Sequence, residues 1–284
     1  MLELALIIVA LFVLAVASYV DLKILEVPDW LNYAGIAAGL GIHLIFSLQQ
    51  WSYWPFASSL IGFGIAFGLA CLMFYTGQWG GGDAKLLMAL GAIIGFSPEK
   101  FGFGSNFLIN LVFIGGAWGL IWSAQLAIRN WKEFWKTFRE LSHQKPYSRM
   151  RISSMISTAI VIAAALVFAE YQLELISLAV ICYFITYSII FVKSVEMSCM
   201  HRWVEPDKLT EGDWLVKPVK VGKKTIAPPK LGLEKEHVAL LKKMYAQKKI
   251  DKILVRYGIP FAPAFLLAFL VTLKLGNVVL TALF

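Results

Sequence analysis

Two aspartates stand out for chemistry. Asp21 closes the first apolar run, and Asp83 sits inside Gly80-Gly81-Gly82-Asp83-Ala84-Lys85. A carboxylate near a membrane is costly, so an ionisable residue there is a functional candidate by default. If the two meet, like-charge repulsion disfavours ionising both, and the pair could hold a single proton. The ionised partner could then take a proton from water attacking a carbonyl. The protonated partner could donate to the carbonyl oxygen and then to the leaving amine. That is acid–base hydrolysis of a peptide bond, with no metal, cofactor or covalent intermediate required. Gly80, Gly81 and Gly82 carry no Cβ, so an extended substrate backbone could pass beside Asp83. The plainer reading of Asp83 is a helix N-cap after a glycine-rich turn; that of Asp21 is a solvated residue after a helix.

The elements that must position these residues are read from composition and spacing. Of 284 residues, 59% are hydrophobic and 15% charged, and the mean hydropathy is +0.70. This exceeds the apolar share of a soluble domain and indicates a polytopic membrane protein. Eight apolar segments are expected: 2–20, 31–48, 56–75, 84–96, 107–128, 152–169, 175–192 and 259–280. The first lacks a positive n-region and is read as a retained helix, not a signal peptide. The expected class is all-α and polytopic, about eight spans with a small cytoplasmic α+β domain before the last. Its parts are a core at 1–128, a basic interfacial loop at 129–151, a helical hairpin at 152–192, the cytoplasmic domain at 193–258 and a final helix at 259–284.

Charge assigns the sides. All basic residues except Lys100 and Lys274 fall on one face when the spans alternate. The positive-inside rule makes that face cytoplasmic, with both termini outside and both aspartates at the cytoplasmic side. The net charge of +8 thus reads as a topology signal and as attraction to anionic headgroups, not as nucleic-acid binding. The segment after Asp83 is short: 84–96 would rise only about 20 Å as a helix, against about 30 Å of hydrocarbon. Either 98–103 dips into the outer leaflet or Asp83 lies in a recess.

Between 193 and 258, 214–221 and 224–227 read as a hairpin around Gly222, followed by the break at Pro228-Pro229. From 234 to 257, Val238, Leu241, Tyr245, Ile250, Ile253, Leu254 and Tyr257 recur at helical spacing. They suggest one or two amphipathic helices, against headgroups or capping the spans. Residues 131–141, with Trp131, Phe134, Trp135 and Phe138 among basic residues, read as an interfacial helix. Cys71, Cys182 and Cys199 form no Cys-x-x-Cys pair, and His43, His143, His201 and His237 no metal-like cluster. Lys85 is expected as a snorkelling anchor at the interface. Glu26 and Asp29 make the first loop acidic on a basic face; they are either solvated or a receptor for a cationic substrate segment.

The block Gly80-Gly81-Gly82-Asp83-Ala84-Lys85 followed by Leu86-Leu87-Met88-Ala89-Leu90-Gly91 resembles the GxGD signature of type IV prepilin peptidases. Asp21-Leu22-Lys23 with Val27-Pro28-Asp29-Trp30-Leu31 resembles the same family's block around its first aspartate. The archaeal preflagellin and prepilin-like branch is the nearer match, by its late cytoplasmic domain and a last helix opening like Ile259-Pro260-Phe261-Ala262-Pro263. The resemblance implies a membrane aspartic endopeptidase with Asp21 and Asp83 as its catalytic pair. It would remove short basic leaders from prepilin or preflagellin substrates of type IV pili or the archaellum at the cytoplasmic face. Bacterial members with a cysteine-bearing domain also N-methylate the product; without Cys-x-x-Cys or a methyl-donor site, peptidase activity alone is expected. The alternatives are a presenilin or signal-peptide-peptidase type of intramembrane protease, or a proton- or cation-coupled transporter using the same aspartates. The former would place its partner aspartate within a helix, and Pro263-Ala264-Phe265 only weakly echoes its Pro-Ala-Leu element.

Overall fold

The computed structural model describes residues 2–99, 102–221, 224–227 and 232–277. In order, these form α1 (Leu2–Ile24), α2 (Asp29–Gln49), α3 (Trp54–Tyr75), α4 (Gly81–Ile94), α5 (Phe103–Arg129), α6 (Trp131–His143), α7 (Tyr147–Val167) and α8 (Gln172–Cys199). Then follow β1 (His201–Val204), β2 (Trp214–Leu215), β3 (Val219–Val221), β4 (Lys224–Ile226), α9 (Lys235–Ala246), β5 (Ile253–Arg256) and α10 (Ala262–Leu275). Six helices (α1, α2, α3, α5, α7 and α8) are long and apolar enough to cross a membrane. The chain is thus a mostly helical, multi-pass membrane protein. The other two expected spans are occupied by α4 and α10, each of 14 residues; residues 278–280 of the last lie outside the described residues. By contact the chain divides into two units, residues 1–119 with 203–284, and residues 120–202.

The core of the first unit forms around α4, which is apolar on almost every side. Ala84, Leu86, Leu87, Ala89, Leu90, Ala92 and Ile93 are all buried. Of these, Ala84, Leu86, Leu87, Leu90 and Ile93 join Leu14, Leu31, Phe107, Phe265 and Phe269 in one continuous core drawn from α1, α2, α4, α5 and α10, with Ala66 and Ala70 of α3. Close backbone approach permits this. A Cβ on Gly62 of α3 would lie 2.5 Å from the Gly91 carbonyl oxygen, and one on Gly39 of α2 would lie 2.7 Å from the backbone of Ala92 and Ile93. Small residues at such contacts are how helices gain packing energy where lipid is as apolar as leucine.

A 14-residue helix rises about 21 Å, short of the ~30 Å hydrocarbon thickness, and its last four carbonyls have no partner of their own. Here neighbouring helices supply donors. Ser59 Oγ donates to the Ala92 carbonyl (2.6 Å), and His43 Nε2 lies 3.1 Å from the Ile93 carbonyl. A carbonyl only accepts, so Nε2 carries the proton in that bond. Gly95, at φ 72°, turns the chain and returns its N–H to the Gly91 carbonyl (3.0 Å). The other short helix is treated alike. Asn110 of α5 donates to Thr272 Oγ1 (2.9 Å) and to the Gly276 carbonyl (2.7 Å) at the end of α10.

Between α8 and α10, β2 pairs antiparallel with β5 in the register Trp214↔Arg256 and Leu215↔Val255. With β1 they make a three-stranded sheet ordered β1-β5-β2, while β3 and β4 form a separate antiparallel pair. The expected hairpin is therefore present only from Val219 onward. Pro218, with no N–H, divides the expected first strand, and its Trp214–Leu215 half joins β5 instead. Gly222 and Pro228-Pro229 lie outside the described residues. The helical reading of 234–257 also needs correcting: α9 ends at Ala246, Lys248 takes φ 56°, and Ile253–Arg256 is a strand with alternating burial. Three successive branched apolar residues satisfy a period of two as readily as one of 3.6. Val238 and Leu241 of α9 pack on Leu215, Ile226, Ile253 and Val255, so that apolar face is already covered by its own sheet.

In the second unit, α6 buries Phe134 against Phe191 of α8, with ring centroids 5.4 Å apart. Its other side keeps Trp131 stacked on Trp135 at 5.5 Å, with the Arg139 guanidinium 5.3 Å from the Trp135 ring centre. The carbonyl caps of α4 carry a measurable consequence. Ser59→Ala should destabilise the protein by about 0.6–2 kcal/mol, the range for interhelical hydrogen bonds in membranes. Gly62→Leu should cost more than Ser59→Ala, because its side chain meets backbone. Unfolding curves in mixed detergent micelles check both.

Candidate active site

Asp21 is not a loop residue. It lies in the last turn of α1, 4% exposed, and a buried carboxylate must be hydrogen-bonded or paired. Its Oδ2 accepts the Ala262 N–H at 2.8 Å, and the Phe261 N–H also bonds to it. Ala262 opens α10, so Asp21 occupies the anion position at a helix N-terminus, where unpaired N–H groups and the helix dipole favour negative charge. Pro263 follows at the start of that helix, where its missing N–H removes no helical bond.

Asp83 reaches an equivalent position on α4 by a different route. Gly80 is the N-cap and Asp83 the third helical residue. The carboxylate bonds back to the Gly80 N–H, one half of a capping box. The expectation of an N-cap at Asp83 is thus shifted by three residues. Asp83 is half-buried, as are Gly80, Gly81 and Gly82 beside it. It lies close enough to Asp21 for the two carboxyl groups to interact electrostatically. The starts of two short helices thus converge, each with a carboxylate at its positive end. Trp79, the residue before the glycines, locks them together: its ring packs 5.7 Å from Phe261 and 5.4 Å from Phe265.

The first loop forms the neighbouring wall. Leu25, at φ 58°, ends α1 with its N–H on the Asp21 carbonyl (2.8 Å). Val27 then meets Gly82, where a Cβ would come within 3.2 Å of Val27 Cβ and N. Glu26 is exposed. Asp29 is exposed but pairs with Lys85 through a 2.6 Å contact, and the Lys85 ammonium sits 5.7 Å from the Tyr33 ring centre. The structure therefore brings Asp21, Asp83 and the three glycines together, and joins Asp29 to Lys85. Glu26 is in no ion pair among the described residues. Trp79 was not singled out by sequence reasoning, and Phe261 and Ala262 entered it only in the opening of the last helix, not as partners of Asp21. Among the described residues, no three His, Cys, Asp or Glu side chains gather as a metal-binding group.

Residues 8–123 match the model of the type IV leader peptidase family. A preflagellin peptidase of Methanococcus voltae is 35% identical over 86 residues, 30% of this chain and 36% of that protein. A preflagellin peptidase of Methanocaldococcus jannaschii is 37% identical over 81 residues, 28% of this chain and 34% of that protein. The chain thus aligns over about a third of the length of these curated relatives. No solved structure matches it. The matched stretch, residues 8–123, contains both Asp21 and Asp83.

Proposed function

We propose that this protein is a membrane aspartic endopeptidase that removes the short basic leader of prepilin- or preflagellin-like proteins at the cytoplasmic face. The observation that supports the reading best is the convergence of Asp21 and Asp83 at two helix starts within the family-matched region. In this mechanism the two carboxyl groups share one proton. The ionised carboxylate accepts a proton from water as its oxygen attacks the scissile carbonyl carbon. The protonated carboxyl donates to the carbonyl oxygen, and collapse of the tetrahedral intermediate passes a proton to the departing amine. The glycine turn admits the extended substrate backbone, and Glu26 and Asp29 receive the positive charge of the leader. The chain has no Cys-x-x-Cys pair, and we assign it no N-methyltransferase activity. Lys85 serves as the counter-ion of Asp29 and an interfacial anchor. Substrate arrives through the bilayer, and anionic headgroups attract the basic face.

Two observations favour a second reading, an intramembrane protease of the presenilin type: Asp21 lies within a helix, and the segment before Pro263-Ala264-Phe265 touches it. The mass of the product separates the two, since a leader peptidase cuts before the hydrophobic helix of its substrate and an intramembrane protease cuts within it.

Purified protein incubated with a leader-bearing prepilin or preflagellin should release the leader. Asp21→Asn and Asp83→Asn should each lower the rate by about 10²–10⁴-fold, the range for loss of acid–base catalysis, with folding intact. Cleavage retained in either variant would exclude the pair, and ion flux without cleavage would point to transport. The charge-reversed Glu26→Lys/Asp29→Lys double variant, which also breaks the Asp29–Lys85 pair, should raise KM more for basic leaders than for a leader with neutral residues at those positions; an equal change for both would remove the charge-receiving role.

A further inference from the structure

One polar side chain beside this site is buried at a cost that packing does not explain. Asn32, in the first turn of α2, is 0% exposed. Its Nδ2 donates to the Gly82 carbonyl at 3.4 Å, and its Oδ1 has no hydrogen-bond partner among the described residues. A buried amide oxygen without a donor costs about 1–3 kcal/mol. A leucine of similar length would fill the same space without that cost, so stability alone does not call for asparagine.

The position of its single bond suggests what it does. Gly82 is the residue immediately before Asp83, and its peptide plane sets the direction in which the Asp83 Cα–Cβ bond points. Val27 bears on Gly82 from the same short segment, and Asp29 grips Lys85, two residues beyond Asp83. That segment begins at Leu25, whose N–H bonds to the Asp21 carbonyl. Leu25 also holds a left-handed conformation that a branched side chain adopts only when its surroundings impose it. The first loop is therefore fixed to Asp21 at one end and to both flanks of Asp83 at the other.

We propose that Asn32 is a positioning residue for Asp83: its side-chain amide holds the Gly82 carbonyl and so aims the Asp83 carboxyl toward Asp21. The catalytic part of this inference rests on the leader-peptidase reading; the positional part does not. The test uses the full-length protein in detergent or nanodiscs, with Asn32→Leu and Asn32→Asp beside wild type. Hydrogen–deuterium exchange reads position without substrate. Asn32→Leu should raise exchange at 80–85 several-fold while leaving 88–94 unchanged and the unfolding midpoint equal or higher. In the cleavage assay the same variant should lose about 10- to 100-fold in kcat, the scale of a misplaced catalytic group, with KM within about twofold. Asn32→Asp should keep activity at low pH, where its protonated carboxyl can still donate to the Gly82 carbonyl. It should lose activity as pH rises and the donor becomes a carboxylate facing a carbonyl; wild type should show no such added loss. Unchanged exchange at 80–85 in Asn32→Leu would overturn the proposal, whether or not wild type cleaves. So would a fall in kcat matched by an equal fall in folded fraction. Absence of cleavage by wild type, with exchange altered as described, would reject the peptidase reading and retain the positional role.

Discussion

A backbone carbonyl at membrane depth must find a donor inside the protein, and this one requirement organises the first unit. α4 and α10 are too short to carry their own ends from one interface to the other. Each can stop early only because another helix brings a side-chain donor to its last turn: Ser59 and His43 for α4, Asn110 for α10. Such donors reach a carbonyl only if the helices lie close, hence the glycine contacts of Gly39 and Gly62 with the end of α4. Ser59, His43 and Asn110, buried within apolar helices, are terminators for short helices.

The same economy shapes the opposite ends. A helix start presents unpaired N–H groups, and here two starts are satisfied by carboxylates, Asp83 on α4 and Asp21 on α10. Two groups that would repel each other in isolation are thus each held by backbone dipoles, which lets them sit close together. Trp79 against Phe261 and Phe265 ties the glycine turn to the start of α10. Gly82 in turn lets Val27 of the first loop come close, since a Cβ there would lie 3.2 Å from Val27 Cβ and N.

Much of this was legible in the sequence. Runs of uncharged residues marked each membrane helix, and Asp83 after three glycines declared itself by residue type. Asp21 was found by the same logic, but not its surroundings. Its partner is a backbone N–H 241 residues away, and a backbone group leaves no trace in residue identity. His43 and Ser59 looked like ordinary polar residues within apolar runs, because their task depends on where a different helix ends. The stretch 253–256 failed for another reason: its apolar residues fit two periods at once, and only pairing with Trp214 and Leu215 decides for strand. Pro218 was visible throughout and could have signalled the break between β2 and β3.

The hydrogen bond between Ala262 and Asp21 joins α1 to α10, the first and last helices among the described residues. Membrane helices are inserted in the order in which they are made, and associate afterwards. Asp21 therefore enters the bilayer region well before any donor for it exists. Residues 8–123, with both aspartates and the full glycine turn, are complete while Asp21 still lacks the two amides that hold it. Everything made between, the second unit and the small sheet domain included, lengthens that interval. The surroundings of Asp21 are thus complete only once α10 has docked against α1.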